Sequence, residues 1–184
     1  MQVVGNWQQN LDKNLKEVSL ASKTIMKNTG FNGDTAIILG SGLGGFINVL
    51  NRKRILKFSE IPHYPESTVE GHSGELVVGL LNNEDIIVAN GRLHMYEGYS
   101  LDEVIFPIKV FKECGIKNLI ITNSAGSLIP SHKPGTVMII DGHIDCTFKA
   151  RFENPKVIKN QDFHSLGLEL IAKNVALEKN INAK

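Results

Sequence analysis

The sequence predicts an α/β domain built on a mixed β-sheet with helices packed against it. Three observations carry that expectation. Short apolar runs alternate with segments of helical periodicity, the runs are rich enough in Ile, Val and Leu for a largely buried sheet, and two of them are separated by a tight-turn sequence.

Taken in order, residues 7–28 place Trp7, Leu11, Leu15, Val18 and Ile25 at three-, four- and seven-residue spacings, the pattern of an amphipathic helix that Gly30 ends. TAIILG at 35–40 reads as the first buried strand, and GGFINVLN after it as a short helix. The stretch RKRILKFSEIPHYPESTVEGHSG reads as a loop, because Pro62 and Pro65 interrupt it and His, Gly and Ser crowd it. ELVVGLL at 75–81 and DIIVAN at 85–90 are strands joined by the hairpin signal NNED, which implies antiparallel pairing and hence a mixed sheet. LDEVIFPIKVFKECG at 101–115 has an acidic first turn and a terminal Gly115, so it reads as a helix that Pro107 should bend or shorten. NLIITN at 118–123 and TVMIID at 136–141 complete the strands, and the stretch from Phe163 to Lys184 is helical in pattern.

The 184 residues, 42% hydrophobic and 21% charged, suffice for one ordinary core in a single soluble domain. No apolar run approaches the roughly 20 residues that span a bilayer, and the N-terminus lacks the basic-then-apolar layout of a signal peptide, so no membrane partner and a cytoplasmic location are expected. Cys114 and Cys146 form no C-x-x-C pair and read as core thiols, with neither a disulfide framework nor a metal site implied. A net charge of +1, with no basic cluster beyond the solvated run at 52–54, gives no footprint for nucleic acid. Any bound anion should be small.

Residues 40–45 read GSGLGG, directly after an apolar run and about twenty positions before Glu60. This is the G-x-G-x-x-G pattern of a dinucleotide-binding turn, but the segment carrying Glu60 is proline-rich where that fold needs regular structure. What survives is mechanical. Glycines let the backbone approach an anion, amide N–H groups point inward, and the Ser41 hydroxyl adds a donor. NGRLHMYEGYS at 90–100 presents Arg92, His94 and Tyr96 at alternate positions, which in an extended chain project to one side. Arg supplies a planar fork for oxyanions, His a second donor, and Tyr a hydroxyl with a ring face for a sugar. TNSAGSL at 122–128 offers Ser124 and Gly126 after a buried strand, and EGHSG at 70–74 offers His72 in a glycine-flanked loop.

GSGLGG, PESTVEGHSG, GRLHMYEGY, FPIKVFKECGI, TNSAGSL and PGTVMIIDGHID occur in the order and spacing of the trimeric, single-domain purine nucleoside phosphorylases, which the chain resembles from its N-terminal helix to about residue 145. The resemblance implies a nucleoside phosphorylase-like fold over residues 1–184 and phosphorolysis of purine nucleosides to a free base and ribose 1-phosphate. It implies that Ser41, His72, Arg92, His94 and Ser124 bind phosphate, with Arg92 and His94 catalytic, and that Tyr96 contacts the ribose. Inorganic phosphate is then a co-substrate, no metal or organic cofactor is called for, and the assembly is a homotrimer. The family's purine-binding segments, of the types G-P-x-F-E-T and G-M-S-T with a later asparagine, have no counterpart before Lys184, and DGHID matches the family's D-H-I-N only loosely. The domain is therefore expected to be incomplete at its C-terminus, with exposed apolar edges. The alternatives are a non-catalytic phosphate-binding homologue and a methylthioadenosine phosphorylase.

Overall fold

The computed structural model describes residues 3–66, 74–145, 156–159 and 164–184. The chain divides into two compact units, Met1–Ala125 and Gly126–Lys184.

The first unit opens with α1 (Val3–Thr29), which buries Val18, Ala21 and Ile25 along one stripe and leaves Leu15 exposed. Gly30 closes the helix at φ +60, and its N–H donates to the Met26 carbonyl at 2.8 Å, the left-handed cap that glycine adopts without a Cβ clash. A five-stranded sheet follows, built from β1 (Thr35–Ile38), β2 (Asn51–Lys57), β3 (Glu75–Leu81), β4 (Glu84–Asn90) and β5 (Asn118–Ile121) in the order β2-β3-β4-β1-β5. β1 runs parallel to β4 and β5, and β3 runs antiparallel to β2 and β4, so the sheet is mixed as its sequence implies. Asn82 and Asn83 stand at φ 51 and 69, the left-handed pair of a type I′ turn, whose twist matches that of β3 and β4.

Alternation divides the core between the two faces of the sheet. Ala36, Ile38, Leu76, Val78 and Ile87 pack with Phe106, Val110 and Phe111 on one side, while Ile37, Leu39, Val77 and Val88 pack with Leu50 on the other. α2 (Leu101–Glu113) covers the first side. It starts in a capping box in which Ser100 Oγ accepts from Glu103 N–H at 3.3 Å and the Glu103 carboxylate accepts from Ser100 N–H at 2.8 Å. Pro107 does not end it, because the Phe106, Val110 and Phe111 contacts hold the helix on both sides of the ring.

One reading of the sequence needs correction here. The segment taken as a loop from residue 52 contains β2, which pairs with β3 from Asn51 to Lys57 around an irregularity between Asn51 and Arg54. Nor is the basic run there wholly solvated, since Arg54 pairs with Asp85, whose other carboxylate oxygen accepts from Asn32 N–H at 2.9 Å.

The second unit holds a two-stranded antiparallel ribbon, β6 (Gly142–Asp145) with β7 (Lys156–Lys159), and α3 (Leu166–Glu178), capped by Ser165. The run at 136–141 forms no strand; within it only Val137 makes an isolated bridge, to Ala183, and the strand falls instead on the residues that follow. Apolar side chains stand in solvent here: Leu128, Leu166, Leu170, Ile171 and Leu177 are exposed, while α3 buries Ala176. β5 at the sheet edge likewise exposes Ile120 and Ile121. Exposed apolar edges are what the sequence led us to expect. Among the described residues no helix is long and apolar enough to cross a membrane.

Candidate functional site

Three parallel strands, β4, β1 and β5, reach the same edge of the sheet at their C-terminal ends, and the loops that leave them carry the residues singled out from the sequence. The ladder carries on just beyond the strands, with Leu39 N–H donating to Ala89 O and Thr122 N–H to Ile38 O, each at 3.0 Å. Strand register thus brings Gly40, Gly91 and Thr122 alongside one another.

Gly40 begins the glycine turn. A Cβ there would lie 2.6 Å from the Thr122 carbonyl oxygen and 2.7 Å from Asn123 Cα, so only glycine fits without moving the backbone. Its N–H donates to Thr122 Oγ1 at 2.9 Å, and that hydroxyl donates to Ile38 O at 3.2 Å. Gly42, at φ +86, then turns the chain into a single 3-10 segment, Gly44–Val49, which is the short helix expected after the turn. Ser41 is exposed, and its carbonyl accepts from Ser124 Oγ at 2.9 Å, so the turn is fastened to the loop after β5 at two points.

Arg92 leaves the end of β4 and donates from Nη1 to Thr122 O at 2.9 Å. That bond fixes the guanidinium beside the same loop and, among the described residues, engages a single one of its nitrogens. Asn90, one turn of the pleat earlier, donates to Glu75 at 3.0 Å, a tie between β4 and β3. His94 and Tyr96 do not project side by side from an extended chain. The backbone is extended at His94, with φ −128 and ψ 146, and then enters a 3-10 turn, Met95–Glu97, ended by Gly98 at φ 95. That turn brings the two rings into a stack 4.8 Å apart with 13° between their planes. The His94 N–H donates to Glu97 Oε1 at 2.8 Å, which locks the turn. Tyr96 is 77% exposed, leaving its outer face for a ligand.

The structure therefore brings together Ser41, Arg92 and Ser124 through Thr122, and stacks His94 on Tyr96; His72 lies outside the described residues, as does Cys146. Sequence reasoning missed Thr122, which was quoted within its motif but given no part. Its signal was its position directly after the apolar run of β5, opposite a glycine turn. A glycine turn with amide and hydroxyl donors beside a guanidinium can hold a small oxyanion, and an exposed aromatic face can take a sugar. Among the described residues no group of three or more His, Cys, Asp or Glu is placed to hold a metal ion.

The family model of the phosphorylase superfamily matches residues 34–184. A purine nucleoside phosphorylase of Mus musculus is 43% identical over 130 residues, covering 71% of this chain and 45% of its own length. Purine nucleoside phosphorylase 1 of Bacillus subtilis (strain 168) is 37% identical over 178 residues, covering 89% of this chain and 65% of its own. Among solved structures, a purine nucleoside phosphorylase in complex with ribose 1-phosphate superposes with a TM-score of 0.63 at 41% identity, over 68% of this chain and 46% of that one. Isoform 2 of the Schistosoma mansoni enzyme, in complex with cytosine and ribose 1-phosphate, gives 0.73 at 31% identity, over 91% of this chain and 63% of that one. The chain thus spans between about half and two-thirds of the length of these relatives.

Proposed function

The chain belongs to the phosphorylase superfamily, and from that premise we propose that it carries the phosphate half of a purine nucleoside phosphorylase site. Phosphate lies in the turn at Gly40–Ser41, held by Ser41, His72, Arg92, His94 and Ser124, with Tyr96 against the ribose. One phosphate oxygen attacks the anomeric carbon with inversion while the bond from that carbon to the purine nitrogen breaks. The base takes the bonding pair and, through solvent, the proton that the hydrogen phosphate dianion gives up on forming the ester, leaving ribose 1-phosphate or its deoxy analogue. The sugar passes through an oxocarbenium-like state, so a dianion fixed beneath it both stabilises positive charge and is placed as nucleophile. Arg92 and His94 are the catalytic pair in this reading. The reaction calls for no metal or organic cofactor.

The observation that carries the proposal is the double fastening of the glycine turn to the Thr122–Ser124 loop, with Arg92 tied to the same loop. The relatives' printed names supply the substrate class. We take residues 1–184 as one domain, spanning part of the length of its relatives, because the family match runs across the Ala125–Gly126 division. We further propose a homotrimer, by the same resemblance, located in the cytoplasm, and assign purine recognition to no residue of this chain.

The test is phosphate-dependent release of hypoxanthine from inosine by the purified chain, with intact mass measured on the same sample and Arg92→Gln alongside. Turnover that requires phosphate and falls at least about a hundredfold in the variant supports the full reading. Phosphate binding without turnover, again lost in Arg92→Gln, supports the phosphate half alone. A folded chain that does not bind phosphate overturns both.

A further inference from the structure

We propose that Asn90 is a positioning residue for the anion site: its side-chain amide holds the far end of the glycine turn against β4 and takes its own orientation from the Glu75 carboxylate. This role rests on the reading of the glycine turn as the phosphate site, and adds the group that fixes the turn on the side away from Thr122.

Strand register places the pair. Ile86, Val88 and Asn90 stand on one face of β4, opposite Gly79, Val77 and Glu75 of β3. It is the face on which Leu50, Phe46 and Ile47 pack against Val77, Ile86 and Val88. An apolar row thus ends, at the sheet edge where the site lies, in a half-buried amide and a half-buried carboxylate. Packing alone would be served by one more Val or Leu.

Chemistry decides which way the amide faces. Asn90 Nδ2 donates to Glu75 Oε1 at 3.0 Å, and a carboxylate can only accept, so the carbonyl Oδ1 is turned the other way. On that side is Gly44, where a Cβ would lie 3.1 Å from Asn90 Oδ1 and 4.0 Å from Cγ and Nδ2. The amide therefore rests directly on the backbone at the end of the turn.

Three segments singled out from the sequence meet at this side chain. Gly44 belongs to GSGLGG, Glu75 follows directly on EGHSG, and Asn90 opens NGRLHMYEGYS two positions before Arg92. Thr122 and Ser124 hold the near end of the turn, at Gly40 and Ser41. A Cβ at Gly42 would meet nothing within 4 Å. The turn is thus pinned at both ends and open between them, the form in which a backbone cradle meets an anion without first having to be ordered. Releasing one end should return that ordering cost as weaker binding, with little effect on the fold.

The test titrates inorganic phosphate into the full chain by calorimetry, with urea unfolding of each variant alongside. Asn90→Leu extends the apolar row, so its unfolding midpoint should be unchanged or higher, while phosphate binds about tenfold more weakly, the worth of one hydrogen bond. Asn90→Asp sets two carboxylates face to face. Compared with the native chain at the same pH, it should bind phosphate at least about tenfold more weakly at pH 8 and recover toward pH 5, as the pair comes to share a proton. Glu75→Gln with Asn90→Asp exchanges donor and acceptor at unchanged net charge, and should restore affinity at pH 8 to within about threefold of native. Native affinity in a folded Asn90→Leu or Asn90→Asp chain overturns the positioning role, as does weakened affinity that the exchange leaves unrestored. If Asn90→Leu does not fold, the Asn90→Asp chain and the exchange decide. Affinity losses that track losses of urea midpoint across the variants overturn it too, since the bond would then only hold the sheet together. A folded native chain that does not bind phosphate overturns the proposed function and this role with it, whereas native binding kept in the variants falls on this role alone.

Discussion

Replacing Thr122 by valine keeps the shape of the side chain and deletes a hydroxyl that joins two strand ends. In the native chain this oxygen accepts from Gly40 N–H at 2.9 Å and donates to Ile38 O at 3.2 Å. The Ile38 carbonyl keeps a bond from Thr122 N–H at 3.0 Å, so its loss is partial. Gly40 is buried, and its N–H faces a methyl group in the variant. An unsatisfied buried donor costs about 1–3 kcal/mol, and a half-satisfied carbonyl adds roughly 0.5 kcal/mol. The extra apolar burial of a methyl offsets at most about 0.8 kcal/mol. The variant is therefore expected to be about 1–2.5 kcal/mol less stable in urea unfolding followed by circular dichroism, with an unchanged slope. Thr122→Ser retains the hydroxyl and should lose less than half as much. Because the glycine turn hangs on this bond, phosphate affinity should fall in the valine variant and not in the serine one. A valine variant within about 0.5 kcal/mol of the native chain, or a serine variant as damaged as the valine one, would refute the claim that this hydroxyl fastens the turn.

Three further outcomes follow from the same structure. Ser100→Ala removes the α2 cap and should lower the melting temperature by roughly 2–4 °C near neutral pH. The Ser100 hydroxyl and then its backbone N–H hold the Glu103 carboxyl below its ordinary 4.5, so the stabilisation is present above that pH and is lost as pH falls through the folded value; the gap between variant and native melting temperatures should close on that acid side. Burial, and secondarily the Glu113 carboxylate, push the Cys114 thiol up to about 11 from an ordinary 9, so this contribution to stability is fully present below pH 9 and is lost as pH rises through 11. The decline in melting temperature across that range should be shallower in Cys114→Ala, and the native thiol should resist alkylation at pH 8. At the β3–β4 turn, Asn83→Val puts a β-branched residue at φ 69 and should cost about 1–2 kcal/mol by urea unfolding, whereas Asn83→Gly should be no less stable than the native chain.

The elements that could be read in advance are those whose instructions are local. The Asn82–Asn83 turn needs two residues that tolerate positive φ and a run of alternating apolar residues on each side, all within 75–90. α2 announces itself by its acidic first turn and Gly115, and the glycine turn by its own composition. Arg92 and Ser124 could be singled out from the sequence because each comes shortly after an apolar run, although the run before Ser124 forms an exposed edge strand. β2 was hidden because Arg52, Lys53 and Arg54 stand where a strand shows apolar residues, and only pairing with β3 makes that backbone extended. The run at 136–141 erred the other way, being apolar enough for a strand without a ladder to form.

What the sequence by itself determined was the class of sheet, the donors around the glycine turn and the family to which they belong. Only the tertiary structure decided how those donors are held. Thr122 acts on Gly40 across 82 positions and Arg92 on Thr122 across 30. A φ preference or a cap is a property of a few consecutive residues and is written where it acts. A hydrogen bond between strand ends exists only after the register of β4, β1 and β5 has been set by packing on both faces of the sheet.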